Sequence, residues 1–261
     1  MIVRLMGGLG NQLFQFAFGI STAAARKESV VFSWQDQARP YGLGAYNVDA
    51  QLFRVEMNPV IQEPRFSYSP EVLMAPPGST FIGYWQSERY FNEPLVRRAI
   101  KLRDRASDES FRVAEKIWDV TGASVFLHVR RGDYLQASTN AYHGMPTMNY
   151  YNEAIRNIQD YFEDAKFFVF SDEPAWCRTV FPASFVIVDH NMDVPHEDLW
   201  LMSLCRNAVM ANSSFSWWGA WLGDNMWHNM AKRIVFAPKR WFNTPMDTRD
   251  LIPTRWQTLE N

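Results

Sequence analysis

The sequence predicts an α/β protein of two lobes, the second of them Rossmann-like, on three observations. From residue 124 onward, apolar strand-like runs alternate with helical stretches, the pattern of a parallel sheet with right-handed crossovers. The chain opens on a strand, a Gly-rich turn and a helix, a passage of the same kind. At 261 residues it fits one large domain or two compact lobes, and 47% apolar content supports a sizeable core.

The elements follow in order. Ile2-Val3-Arg4-Leu5 reads as a strand, Gly7-Gly8-Leu9-Gly10 as a turn, and about 11–26 as a helix with Leu13, Phe14, Phe16, Ala17 and Ile20 apolar. Val30-Val31-Phe32 is a second strand. Residues 36–79 are punctuated by Pro and Gly and resist assignment. Thr80 to Trp85 reads as a strand, with helices over 92–102 and 108–119. Strand 124–130 then precedes a helix near 148–163, strand 166–171 a short helix near 174–180, and strand 185–188 a helix near 196–206. Strand 208–211 precedes a helix near 214–227, and strand 233–236 closes the series. A Pro- and Trp-rich tail from 238 packs back over the body. The lobe boundary is expected near Thr121-Gly122, giving an N-terminal lobe of 1–120 and a C-terminal lobe of 121–261.

Composition narrows the function. A net charge of −2 and a pI near 6.2 leave no broad basic surface for nucleic acid or anionic membrane. Cys177 and Cys205 are the only cysteines, no Cys/His spacing suggests a metal site, and two buried thiols are the simplest expectation. Neither a signal peptide nor a membrane-spanning run is visible, so a soluble cytoplasmic protein is expected. Eleven Trp and 15% aromatics suit carbohydrate handling, although most of these rings belong in the core.

The most informative segment is Phe126-Leu127-His128-Val129-Arg130-Arg131-Gly132-Asp133-Tyr134. An apolar strand here ends abruptly in charge. His128 and Arg130 project to one side of it, and Arg131 begins the loop. Ligands of open α/β sheets bind at carboxyl ends of strands, and paired guanidiniums suit a pyrophosphate. Asp133 either holds an arginine or meets the ligand. A salt-bridged strand end is the plainer alternative, and the Arg-Gly-Asp tripeptide is a chance match to an adhesion motif.

Other segments join it. Gly7-Gly8-Leu9-Gly10-Asn11-Gln12 can bring N–H groups to an anion, although Leu13 breaks the full dinucleotide fingerprint and a structural turn is equally open. Asn212-Ser213-Ser214-Phe215-Ser216 opens a helix, as an anion cradle or as ordinary capping. Trp217, Trp218 and Trp221 follow, as core packing rather than a sugar platform. Glu197 and Asp198 favour a helix start, or one of them pairs with the N1–H and N2–H of guanine. Asp172, after a strand, is a candidate donor contact. Gly83-Tyr84-Trp85-Gln86-Ser87-Glu88 offers an aromatic with hydrogen-bonding groups for a sugar, or a structural corner.

Three of these motifs, Gly7–Gln15, His128–Tyr134 and Ala211–Leu222, together resemble the α-1,2-fucosyltransferases of glycosyltransferase family 11, in that family's order. The His-x-Arg-Arg element is also similar to that of α-1,6- and protein O-fucosyltransferases. The resemblance implies a GT-B-like arrangement of two Rossmann-type lobes with the nucleotide-sugar cleft between them. It implies GDP-β-L-fucose as donor substrate, no cofactor and no required metal. It further implies inversion at the anomeric carbon to give an α-fucoside on O2 of a β-galactoside. By the same resemblance His128 and Asp198 touch the guanine nucleoside, and Arg130 and Arg131 hold the pyrophosphate. Gly8, Gly10 and Asn11 close from the N-terminal lobe, and Ser214, Phe215 and Ser216 line the donor pocket. Trp85, Gln86, Glu88 and His143 are the acceptor candidates. Asp133, His143, Glu88 and Asp36 are candidate bases, none distinguished from the others. The loop Gln136–Met148 leaves acceptor choice open. Partners are thus GDP-fucose and a β-galactoside glycan, with no nucleic acid and no membrane span, and peripheral attachment to a lipid-linked glycan stays open. Alternatives are another fucosyl linkage, a non-catalytic sugar-nucleotide or glycan-binding protein, or a dehydrogenase, which the broken glycine pattern disfavours.

Overall fold

The computed structural model describes residues 1–34, 39–51, 59–135, 137–227 and 233–261, apart from the side chains of Gln51, Asp133, Leu135 and Ser138. Two compact units divide the chain, Met1–Arg105 with Met246–Pro253, and Ala106–Pro245 with Thr254–Asn261.

The first unit holds a parallel sheet of β1 (Ile2–Leu5), β2 (Val31–Trp34), β3 (Ala50–Gln51), β4 (Val60–Gln62) and β5 (Thr80–Ile82) in the order β3-β2-β1-β5-β4. Helix α1 (Leu9–Arg26) covers it with Leu13, Phe14, Ala17 and Phe18, all fully buried. Four to five apolar residues per two turns make the wide stripe that a sheet-covering helix needs. Lys27 ends the helix in the left-handed conformation at φ 56°. Helix α2 (Glu93–Ala99) starts at Asn92, whose side chain accepts the Leu95 N–H. The chain builds β1, β2 and β3 outward on one side, then places β5 on the other side of β1. The carboxyl ends of β1 and β5 therefore flank the switch point of this sheet.

The second unit contains α3 (Asp108–Trp118), β6 (Ser124–Val129), α4 (Ala137–His143), α5 (Met148–Tyr161), β7 (Lys166–Ser171) and α6 (Pro174–Val180). It continues with β8 (Val186–Val188), α7 (Pro195–Leu204), β9 (Asn207–Val209), α8 (Ser214–Trp227), β10 (Val235–Pro238) and β11 (Gln257–Leu259). All six strands are parallel, in the order β11-β10-β9-β6-β7-β8. Strand β6 is buried at every position, as a strand covered on both faces must be. Val125, Leu127 and Val129 pack with Tyr150, Tyr151, Ala154 and Ile158 of α5. Here the switch point lies between β6 and β9, because the chain runs from β6 to β7 and β8 before returning to β9. Such crevices are where open α/β sheets take their ligands.

Three expectations need correction. The units part at Arg105, not near residue 120. Helix α3 belongs to the second unit because Ser107, at its start, is bonded to Glu197 of α7, and Phe111 packs on Trp200. Residues 246–253 return to the first unit, where Asp250 accepts the Tyr68 N–H and pairs with Arg89 at 2.8 Å. The tail is also more than a cover, since its last strand extends the second sheet beyond β10.

Candidate active site

The segment His128–Arg131 emerges at the carboxyl end of β6, beside the carboxyl end of β7. Arg130 Nη1 lies 2.8 Å from Asp172 Oδ2, and the Arg131 backbone N–H donates to Asp172 Oδ1 at 2.9 Å. One carboxylate thus spends both oxygens on the two arginines, and Asp172 holds the pair in place. A side chain at Gly132 would come within 2.6 Å of the same carboxylate, so only glycine leaves it room. The Arg131 guanidinium is held by Glu173 at 3.2 Å and lies over the Trp176 ring at 3.8 Å from its centre. Arg130 stays about a quarter exposed, with Tyr134 under it at 5.6 Å. The Asp133 side chain and Asp36 lie outside the described residues.

His128 is buried, and its carbonyl accepts the Tyr151 hydroxyl at 3.2 Å. Burial, aided by the Arg130 charge, holds its pKa down at about 3, so the imidazole is neutral at physiological pH. Its Nδ1 is buried with no hydrogen-bond partner among the described residues. The ring faces Phe215 at 5.7 Å, which brings the end of β6 beside the start of α8.

The segment after β9 divides in two. Ser214 and Phe215 are half-buried at the start of α8. Ser216 is fully buried and donates to the carbonyls of Ala211 and Ser213 at 3.2 Å. It braces the turn and does not line a pocket, which corrects its expected place. Trp217, Trp218 and Trp221 are core, at most 1% exposed. Asn212 Nδ2 reaches the carbonyls of His143, Gly144 and Trp241. His143 ends helix α4, which occupies most of the expected loop, and its ring stacks on Tyr134 at 4.9 Å. Its position is thus fixed beside the start of α8, on the second unit.

Glu197 and Asp198 have separate fates. Glu197 is buried and takes the Ser107 N–H at 3.0 Å and the Ser107 hydroxyl at 2.6 Å. Burial pushes its pKa up, but these bonds outweigh it and leave the group below its ordinary value. Asp198 has one oxygen on Asn191 Nδ2 at 2.9 Å. Burial lifts it to about 7 despite that bond, with Glu197 adding to the rise. Of the two, Asp198 keeps an oxygen outside such a brace and remains the candidate for the guanine edge.

In the first unit Gly7 (φ 77°) turns the chain and Gly8 caps α1, its carbonyl accepting the Asn11 and Gln12 N–H groups. Gly10 lies buried in the first turn, and nothing lies within 4 Å of where a Gly8 side chain would stand. Gln86 Nε2 donates to Asn11 Oδ1 at 2.8 Å, which ties the two loops at this switch point together. Trp85 is fully buried, stacked on Phe18 at 4.3 Å, so it is core and not the sugar platform expected. Glu88 is half-buried at the head of a short 3-10 helix. Strand β5 stops at Ile82, earlier than expected. The sequence reading missed Glu173 and Trp176 as holders of Arg131, and no local pattern marks them.

All-parallel sheets in both units, each with a switch point, are the architecture of the GT-B fold. The glycosyl transferase family 11 profile matches residues 73–259, and the chain belongs to that family. It is 31% identical to an α-1,2-colitosyltransferase of Escherichia coli, over 100% of this chain and 99% of that one. It is 28% identical to the Escherichia coli O-antigen biosynthesis glycosyltransferase WbnK, over 91% and 93%. The crystal structure of the fucosyltransferase NodZ from Bradyrhizobium superposes with a TM-score of 0.52 at 16% identity, covering 85% of this chain and 91% of that one.

Proposed function

We propose that the protein transfers L-fucose from GDP-β-L-fucose to O2 of a terminal β-galactoside with inversion, in the assembly of an oligosaccharide or O-antigen repeat. The observation that carries this is the Arg130–Asp172 pair at the end of β6, beside a buried neutral His128. Cleavage of the fucose–phosphate bond leaves its electron pair on GDP. Arg130 gains interaction energy as that charge grows, so it favours the transition state over the ground state. Arg131, His128, Asp198, Ser214 and Phe215 belong to the same donor site in this reading, and the Gly-rich loop of Gly8, Gly10 and Asn11 is a further candidate anion cradle. The acceptor hydroxyl attacks as its proton leaves, with Glu88, His143 and Asp133 the candidate bases. The arginines supply the charge for the diphosphate, so the reaction is expected to need neither metal nor cofactor. NodZ soaked with GDP-fucose is a parallel for the donor.

Colitosyl transfer is a second reading, favoured by the full-length match to the colitosyltransferase. Colitose is the 3-deoxy counterpart of fucose, so one set of contacts to base and diphosphate serves either donor. No helix among the described residues is long and apolar enough to cross a membrane. The reading places the protein in the cytoplasm, where it could meet a lipid-linked glycan peripherally. An acceptor screen with GDP-fucose and GDP-colitose, with product linkage assigned by NMR, tests the proposal. A protein that binds GDP but turns over neither donor would be a binding protein instead.

A further inference from the structure

The corner Gly83–Gln86 follows β5, at the first unit's switch point. Three unusual features meet there. Trp85 has φ 57°, a left-handed backbone that costs a bulky residue energy and persists only where the surroundings enforce it. The enforcing group is Glu63, just after β4. One of its oxygens accepts the Tyr84 N–H at 2.7 Å and the other the Trp85 N–H at 2.9 Å. A side chain at Gly83 would come within 2.4 Å of Glu63 Cβ, so the two strand ends meet as closely as glycine allows. The Glu63 carboxyl is half-buried, and burial raises its pKa to about 7 against the pull of those two N–H groups.

This turn sorts three consecutive side chains. Trp85 goes into the core on Phe18. Gln86 is 6% exposed and reaches Asn11 of the Gly-rich loop. Tyr84 is 38% exposed, in contrast to its two buried successors. A ring of this kind, exposed just past the carboxyl end of β5, suits the apolar C–H face of a hexose, while its hydroxyl suits a sugar oxygen.

We propose that Tyr84 is the acceptor-sugar platform of this enzyme and that Glu63 is the positioning residue that holds it. The inference rests on the glycosyltransferase reading above and specifies its acceptor side. Trp85, the residue that the sequence favoured, is the anchor of the corner. The strain at Trp85 is offset by the two hydrogen bonds of one carboxylate. An amide at position 63 puts an NH2 donor where one of the two accepting oxygens stood, so the Tyr84 and Trp85 N–H groups cannot both keep their present acceptors.

The test compares wild type, Tyr84→Ala, Tyr84→Phe and Glu63→Gln, with thermal melting as a fold control. Lactose, a β-galactoside, is the probe. Its binding is read by saturation-transfer NMR and, where turnover occurs, its KM is read against kcat and the GDP dissociation constant. Tyr84→Ala and Glu63→Gln are expected to raise the lactose KM about tenfold, the scale of one lost charged hydrogen bond or its equivalent. GDP affinity should stay within about twofold of wild type, which a general folding defect would not spare. Tyr84→Phe keeps the ring and loses only the hydroxyl, so it should raise the lactose KM about threefold, less than Tyr84→Ala. Wild-type lactose affinity in Tyr84→Ala overturns the proposal even if Glu63→Gln fails to fold. So does an absence of lactose binding by the wild-type protein. Loss of GDP-fucose turnover with intact lactose binding would instead count against the donor assignment.

Discussion

Arg130 and Asp172 directly follow the neighbouring parallel strands β6 and β7 and meet at 2.8 Å, and the second oxygen of Asp172 takes the Arg131 N–H. The carboxylate therefore fixes both the guanidinium and the backbone from which it springs. Arg130→Ala should abolish transfer, and Arg130→Lys should lose on the order of 100-fold or more, because a point charge does not replace a planar fork. Asp172→Asn should cost roughly 10- to 100-fold in kcat, since an arginine displaced by about 1 Å loses the charge it must meet. Steady-state kinetics decide this, and near-normal turnover in Arg130→Lys would remove the clamp from the mechanism.

In the proposed donor site, Asp198 makes GDP affinity depend on pH. Its carboxyl, raised to about 7, is partly protonated at neutral pH, yet only the carboxylate can accept both guanine N–H groups. GDP affinity should rise by up to tenfold per pH unit below about 7 and level off above it. The apo-protein linkage has the opposite sense. A raised folded pKa makes this group's contribution to stability fall as pH climbs from the unfolded value toward 7. Asp198→Ala should flatten the GDP curve and cost about 1–3 kcal/mol of GDP affinity at high pH, while the poor binding of ADP barely changes. Calorimetry from pH 5.5 to 8.5 measures both, and an unchanged slope in the mutant would reduce Asp198 to a helix-start residue.

His128 should reveal itself in stability rather than in a neutral-pH rate limb. The folded protein holds it neutral down to about 3, while the unfolded chain protonates near 6.5. Its contribution to stability is full above that unfolded value and declines as pH falls, by at most about 1.4 kcal/mol per unit. Urea melts of wild type and His128→Asn between pH 4 and 7.5 should converge toward acid, with opposing terms from Glu63 and Asp198 cancelling in the difference. Parallel curves would contradict a neutral buried imidazole.

Chelation gives a fourth expectation. Two guanidiniums already balance the diphosphate in the proposed mechanism, so activity should survive excess EDTA. Complete loss with chelator, restored by manganese, would require a different mechanism.

Much of the second unit was legible because its signals are local. The abrupt end of an apolar strand at His128-Val129-Arg130-Arg131 marks a carboxyl edge without knowledge of its neighbours. The Ser-rich start of α8 is equally local. Asp172 was noticed as a strand-end acid, but its partnership with Arg130 depends on the pairing of β6 with β7, about forty residues apart in sequence. Glu197 and Asp198 are adjacent and look alike in sequence. Only the docking of α3 on α7 commits the first to Ser107 and leaves the second to Asn191.

The sequence by itself determined the alternation of strands and helices, the anion-binding chemistry of the arginine pair and the family resemblance, since each depends on residue type at short spacing. Only the tertiary structure decided the return of residues 246–253 to the first unit, the capture of both arginines by the acids after β7, and the roles within Tyr84-Trp85-Gln86. Those outcomes depend on which strand ends lie side by side. Glu63 meets Tyr84 and Trp85 across about twenty residues only because β4 pairs with β5. That contact sends the larger aromatic inward and the smaller one outward.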